Sequence, residues 1–276
     1  MSGSPAITQS TSTYLKAIGV PELPPKTLAF DPGYDIATVK SHLEQSGHLM
    51  SCLKLSMACW QVCNEQATRE KINTAKALGV TVCTGGGPFE VAAACNHLPE
   101  YLDLCADLGF TRIEAGEGFI DLHLTPKEVM KLANERGLEV HFEVGEKHSG
   151  PFTPHVVEAI VAQGREWMEA GAKQLVVEAR ESAENVGLFD AQGNLDLQGA
   201  DTLVEAFGLE AIVFEAPNKA SQFAFIRHYG PTVELCNVRL EELLRVEIYR
   251  RGLHSDAFMH DNLRPRGATT RGEDFK

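Results

Sequence analysis

Four glutamates recur in related tetrapeptides, each closing a short apolar run: Glu114 in "IEAG", Glu143 in "FEVG", Glu178 in "VEAR" and Glu215 in "FEAP". Asp31 ends an earlier run of the same kind, and Glu90 lies just past another. Charges in such places are costly unless they are paired, bound to a metal or used. Carboxylate oxygens suit Mg2+, which usually takes only one or two carboxylates together with water and substrate oxygens. Glu114, Glu143, Glu178 and Glu215 are therefore the candidate metal ligands. Ion pairing is the competing account, and Lys54, Lys147, Arg180 and Lys219 could supply it. Buried pairs stabilise little beside apolar packing, so four glutamates at matched positions favour a functional ring.

Lys54 alternates with Leu53 and Leu55 and must point away from them. That places it with the glutamates as a proton donor or anion-binding group. Arg180 offers a planar fork for a carboxylate or phosphate. It follows Glu178 by two residues, so in extended chain both face the site while Val177 faces the surrounding helices. Gly85, Gly86 and Gly87 in "TGGGPF" could bring backbone N–H groups close to an anion. His141 reads as a packed strand residue, and His148 is the histidine nearest a strand end.

Eight elements must hold these residues. Apolar runs occur at "TLAFD", "MSCLKLS", "VTVCTGG", "FTRIEAG", "LEVHFEVG", "KQLVVEAR", "EAIVFEAP" and "TVELCNV". Each is followed by a segment with helical spacing that finishes on glycine, at 47, 79, 109, 137, 171, 208, 230 and 252. Glycine readily takes the left-handed conformation that ends a helix. "LTPKEV" and "FTPHVV" place Thr at an N-cap and Pro at the first helical position. Eight strand–helix units indicate an α/β fold, a single-domain (β/α)8 TIM barrel with function at the C-terminal ends of its strands. A doubly wound sheet is the alternative, and no GxGxxG or P-loop follows the first strand to support it. Residues 1–26 read as an N-terminal arm, 27–253 as the barrel and 254–276 as a C-terminal tail.

The 276-residue chain carries 25 Lys and Arg against 38 Asp and Glu, a net charge of −13. That balance opposes non-specific binding to nucleic acid or anionic membranes. A local cluster of cations can still hold a small anionic substrate. Seven cysteines without a CxxC pair read as reduced thiols, and Cys59 with Cys63 lacks the usual zinc spacing. No secretory signal or membrane span is apparent, so a cytoplasmic location is expected.

Four segments, "VVEARESAENVGLFDAQGNL", "IVFEAPNKASQFAFI", "FEVGEKH" and "CTGGGPFEVA", resemble the phosphosulfolactate synthase family, with similarity over most of residues 27–253. The resemblance implies a homo-oligomeric (β/α)8 lyase that adds sulfite to phosphoenolpyruvate with Mg2+, giving phosphosulfolactate through a metal-stabilised enediolate-like intermediate. It implies Lys54, Lys147 and Arg180 as catalytic residues. It also implies Gly85, Gly86, Arg180, Lys219 and Asn237 as substrate-binding residues. Plant heat-stress-associated relatives share the fold without an agreed reaction, so a catalytically silent barrel acting in protein interactions is the second expectation.

The chain departs from the family pattern in four places. Asp31-Pro32-Gly33 stands where the family has Asp-Lys-Gly, and Ser56-Met57-Ala58-Cys59 where it has Gly-Trp-Gly-Thr. Glu146 precedes Lys147 in place of a second lysine, and Glu117-Gly118 replaces Asp-Gly. The first and third of these remove positive charge from the expected site.

Overall fold

The structure, a computed structural model, describes residues 10–270. The eight apolar runs are eight strands: β1 Thr27–Asp31, β2 Met50–Leu55, β3 Thr81–Thr84, β4 Arg112–Gly116, β5 Glu139–Val144, β6 Gln174–Val177, β7 Ile212–Glu215 and β8 Glu234–Arg239. They pair in chain order, all parallel, and β8 closes on β1. The fold is a (β/α)8 barrel, not an open sheet.

Parallel strands covered on both faces read as nearly continuous apolar segments, and here the two faces serve different cores. Leu53, Ile113, Phe142, Val177 and Phe214 point outward into the large core between sheet and helices. Leu28, Cys52, Cys83, Val176, Val213 and Cys236 point inward and form a separate cluster inside the barrel. All seven cysteines are free. Two residues further along the strands, the inward positions become charged: Lys54 after Cys52, Glu178 after Val176 and Glu215 after Val213. The barrel thus has an apolar, thiol-rich floor and a charged mouth.

Seven of the eight helix-ending glycines, residues 79, 109, 137, 171, 208, 230 and 252, have φ between +69 and +110. Gly47 does not; at φ −57 it leads into a 3-10 turn, Gly47–Leu49. Thr125 and Thr153 cap the helices Pro126–Asn134 and Pro154–Ala170, each with proline in the first turn. Short helices not apparent from periodicity occur at Thr11–Ala17, Cys59–Val62, Gly86–Ala94 and Ser255–Phe258.

The expected arm and tail lie partly outside the described residues. Within them, both pack on the barrel and on each other. Arg266 N donates to Gly19 O at 3.3 Å, and Ala257 and Leu263 are buried. A Cβ on Gly252, with φ +70, would fall 2.1 Å from Leu263 O, so the returning chain needs glycine there. No helix among the described residues is long and apolar enough to cross a membrane.

Candidate active site

Lys54 lies at the centre of the mouth with only 3% exposure. Its ammonium is 2.6 Å from Glu114 Oε2 and 3.6 Å from Glu215 Oε1, and it donates to Asn237 Oδ1 at 2.9 Å. Glu215 also accepts from the Ala179 backbone N–H at 2.9 Å. A second ammonium, Lys147, donates to Glu143 Oε1 and to Glu178 Oε2, the latter at 2.7 Å, and stands 3.7 Å from Glu90 Oε1. One buried lysine and one half-buried lysine thus face five carboxylates: Glu90, Glu114, Glu143, Glu178 and Glu215.

That imbalance sets the electrostatics. Burial raises the pKa of all five carboxyls above the ordinary glutamate range. Their mutual repulsion adds to this, Glu178 acting on Glu143 and Glu215 on Glu178. Burial alone would lower both lysine pKa values. The charges of Glu114 and Glu215 outweigh it at Lys54, as those of Glu143 and Glu178 do at Lys147, so both ammoniums are held protonated. Below them His141 is fully buried with neither ring nitrogen hydrogen-bonded. Burial, then Arg112 and Lys54, depress its pKa and keep it neutral, as expected of a packed residue.

A cavity of about 910 Å3 opens above the lysines. Glu143, Glu178 and Glu215 line it together with Lys54, Lys147 and Asn237. Its walls hold most of the left-handed non-glycine residues among those described: Met57, Arg180, Asn185 and Asn237 have φ of 47, 56, 52 and 57, respectively. Such conformations cost of order 1–3 kcal/mol each and cluster where a side chain must be aimed. Arg180 therefore reaches the mouth through a turn and not along an extended strand. Its backbone N–H donates to Glu178 Oε1 at 2.6 Å, and its guanidinium reaches Lys147 O and His148 Nδ1. The loop carrying it is tied down where Asn218 Nδ2 donates to Ser182 O at 2.7 Å. Gly85 and Gly86 open the helix Gly86–Ala94 beside the cavity. A Cβ at Gly86 would meet Glu143 Oε2 at 3.3 Å, so this glycine makes room for a carboxylate.

Three residues sit differently from the sequence expectation. Lys219 is exposed, pairs with Asp256 at 3.3 Å, lies 5.1 Å from the centre of the Phe223 ring, and does not line the cavity. As the first residue of the helix Lys219–Tyr229 it points away from the mouth. Glu114 is a level deeper than Glu143, since Gly116 is the residue opposite Glu143. It lies under Lys54, outside the cavity lining. Asp31 turns outward, accepting from Lys71 Nζ at 2.7 Å and from the backbone N–H groups of Gly33 and Tyr34. Glu90, by contrast, joins the cluster. Its Oε2 accepts from Phe119 N at 2.8 Å, while Oε1 is buried without a hydrogen-bond partner.

The barrel superposes on the crystal structure of KGPDC from Streptococcus mutans in complex with D-R5P. The TM-score is 0.52 with 12% identity over 86% of this chain and 98% of that one, a likeness of fold alone. In sequence, the phosphosulfolactate synthase of Methanocaldococcus jannaschii is 32% identical over 233 residues, 84% of this chain and 93% of the relative. That of Methanothermobacter thermautotrophicus is 30% identical over 240 residues, 86% of this chain and 92% of the relative. The family described as (2R)-phospho-3-sulfolactate synthase (ComA) matches residues 24–256. Since that match takes in all eight strands and every residue of the charged mouth, the chain belongs to the phosphosulfolactate synthase family of enzymes.

Proposed function

We propose that this enzyme adds sulfite, or a related nucleophile, to phosphoenolpyruvate and yields phosphosulfolactate with the phosphate retained. The observation that carries the proposal is Lys54, a buried ammonium within 3.6 Å of Glu114 and Glu215 at the barrel mouth, in a chain of this family. The sulfite sulfur forms a bond to the methylene carbon. The double-bond electrons move to the adjacent carbon and its carboxylate, and Lys54 delivers a proton to that carbon. The ammonium then regains a proton from solvent. Because neighbouring carboxylates hold Lys54 protonated, the donor is charged before substrate arrives. A positioned acid of this kind contributes ~10²–10⁴-fold.

Anion binding falls to Arg180 and Lys147. The Arg180 fork, directed at Lys147 O and His148 Nδ1 here, can exchange them for a phosphate or carboxylate. Substrate and sulfite are both anionic, however, and five carboxylates against two lysines and one arginine leave the mouth negative. The residues suit a hard divalent cation for this reason. Among the described residues no three donors form a ready metal cage. Mg2+ needs only one or two carboxylates, with water and substrate oxygens completing its shell. Glu143, Glu178 and Glu215, which line the cavity, would hold it. When bound, the cation supplies positive charge opposite the substrate carboxylate, where negative charge accumulates.

Mass spectrometry of the purified chain with Mg2+, phosphoenolpyruvate and sulfite tests the reading. Phosphosulfolactate without released phosphate is expected. No product and no phosphoenolpyruvate binding would overturn it.

A further inference from the structure

A three-carbon acid and sulfite leave much of this cavity unused. At about 910 Å3 it lies near the top of the roughly 300–1,000 Å3 range of sites that enclose drug-sized ligands. Its charged side holds Lys54, Lys147 and the glutamates. The other side is apolar, built from Met57, Pro88, Val91 and Phe119. Three of these are about half open to solvent: Met57 at 49%, Val91 at 54% and Phe119 at 45%.

The wall is continuous and abuts the charges. Pro88 and Val91 are three residues apart on the helix Gly86–Ala94 and so share a face. Phe119 is fastened to that helix through its backbone N–H and Glu90. Met57 flanks its start, since a Cβ on Gly85 would lie 3.2 Å from Met57 N. Gly118, next to Phe119, accepts from Lys147 N at 2.9 Å and packs against the Lys147 side chain. Met57 is moreover held at φ 47, a strain that a purely solvent-facing side chain would not require.

We infer that this wall is a subsite for an apolar limb of the substrate. The chain takes an anionic enol acid that bears an aliphatic or aromatic substituent, and phosphoenolpyruvate is the smallest member of that class. The inference rests on the reading of the charged cluster as the anion site. Such a limb leaves water as it lies along Met57, Val91 and Phe119, while the anion stays with Lys147 and Arg180.

Isothermal titration of the full chain, in Mg2+, with alkylphosphonates from methyl to hexyl tests this. The affinity is expected to rise about fourfold per methylene, the ~0.8 kcal/mol of a buried CH2 converted at ~1.4 kcal/mol per decade. Val91→Ser and Phe119→Ser should each flatten the series while methylphosphonate binds as before. A flat series in the unaltered protein, with methylphosphonate bound, would overturn the subsite and leave the anion site standing. Loss of an oligomer in either variant, seen by sedimentation, would also overturn it, because a second copy of the chain then covers the wall. If methylphosphonate itself does not bind, the anion site fails and the subsite falls with it.

Discussion

The Asn237 side-chain oxygen accepts from the Lys54 ammonium at 2.9 Å, reaching from β8 across β1 to β2. It can do so because β8 holds one extra residue against β1: Thr27 faces Leu235, while Ala29 faces Val238. Asn237 takes up the bulge with φ 57, and a bulge re-aims a side chain in this way. Asn237→Gly should keep the backbone and lose the acceptor; Asn237→Ala should lose the acceptor and add strain of ~1–2 kcal/mol. Both are expected to lower kcat with little change in KM, and thermal melting should place the alanine variant below the glycine variant. Equal stabilities would show that the bulge does not persist without asparagine.

Lys54→Met should abolish turnover by ~10²-fold or more. It should also destabilise the protein by roughly 3 kcal/mol at neutral pH, because Glu114 and Glu215 remain buried without their cation. Both carboxyls have pKa values raised by burial, so protonation relieves them. The deficit should therefore shrink as pH falls towards the unfolded carboxyl value of about 4.3. Denaturant unfolding of both proteins at several pH values measures this, and a deficit independent of pH would mean the pair is not ionised.

The unaltered protein should show the same sign. Groups whose folded pKa is raised bind more protons in the native state, so stability falls as pH rises from about 4.3 through their folded values. Glu90, Glu114, Glu143, Glu178 and Glu215 all act in this direction. Lys54 and Lys147, also raised, add stability that is lost only at strongly alkaline pH. The melting temperature without Mg2+ should drop as pH rises above about 4.3, Mg2+ should reduce the drop, and Glu143→Gln should do so too. Superimposable melting curves at all pH values would count against an excess of buried carboxylate.

Glu178 and Arg180 should fail differently. Glu178→Gln keeps the shape and removes a charge, so it should raise the Mg2+ concentration needed for half-maximal rate. Arg180→Lys keeps the charge and loses the fork, so it should raise KM for the phosphorylated substrate with metal dependence unchanged. Steady-state kinetics at varied Mg2+ separates the two, and identical profiles would remove the distinction.

Lys71→Met is the structural control. The buried Lys71–Asp31 pair lies outside the charged mouth, so its loss should destabilise by roughly 3 kcal/mol and leave kcat unchanged. A large fall in kcat in a folded variant would place Asp31 in the reaction.

The barrel was legible because strands covered on both faces must be apolar, and because glycine marks the ends of helices. Only Gly47 broke that second rule, its chain continuing into a 3-10 turn. Lys54, Glu143, Glu178 and Glu215 were legible through alternation at strand ends. The depth of Glu114 was not, because it depends on the stagger of β4 against β5. Nor was the outward turn of Asp31, which Lys71 on a neighbouring helix decides. Lys219 misled for a local reason: the sequence does not fix which way a residue at the start of a helix faces, and Asp256, distant in sequence, draws it aside. The apolar wall of Met57 and Phe119 comes from loops, whose positions only the assembled barrel sets.

The thiol layer of Cys52, Cys83 and Cys236 lies directly beneath the charged mouth, among Leu28, Val176 and Val213. It works as an insulating floor. Water cannot reach Lys54 and Glu114 from below, so charge introduced at the mouth is screened from one side only. A substrate anion arriving above would be felt at once by the buried carboxyls of the mouth and would raise their proton affinity, as their neighbours' charges already do, and proton uptake on binding, readable by calorimetry in buffers of different ionisation heat, follows from the insulation.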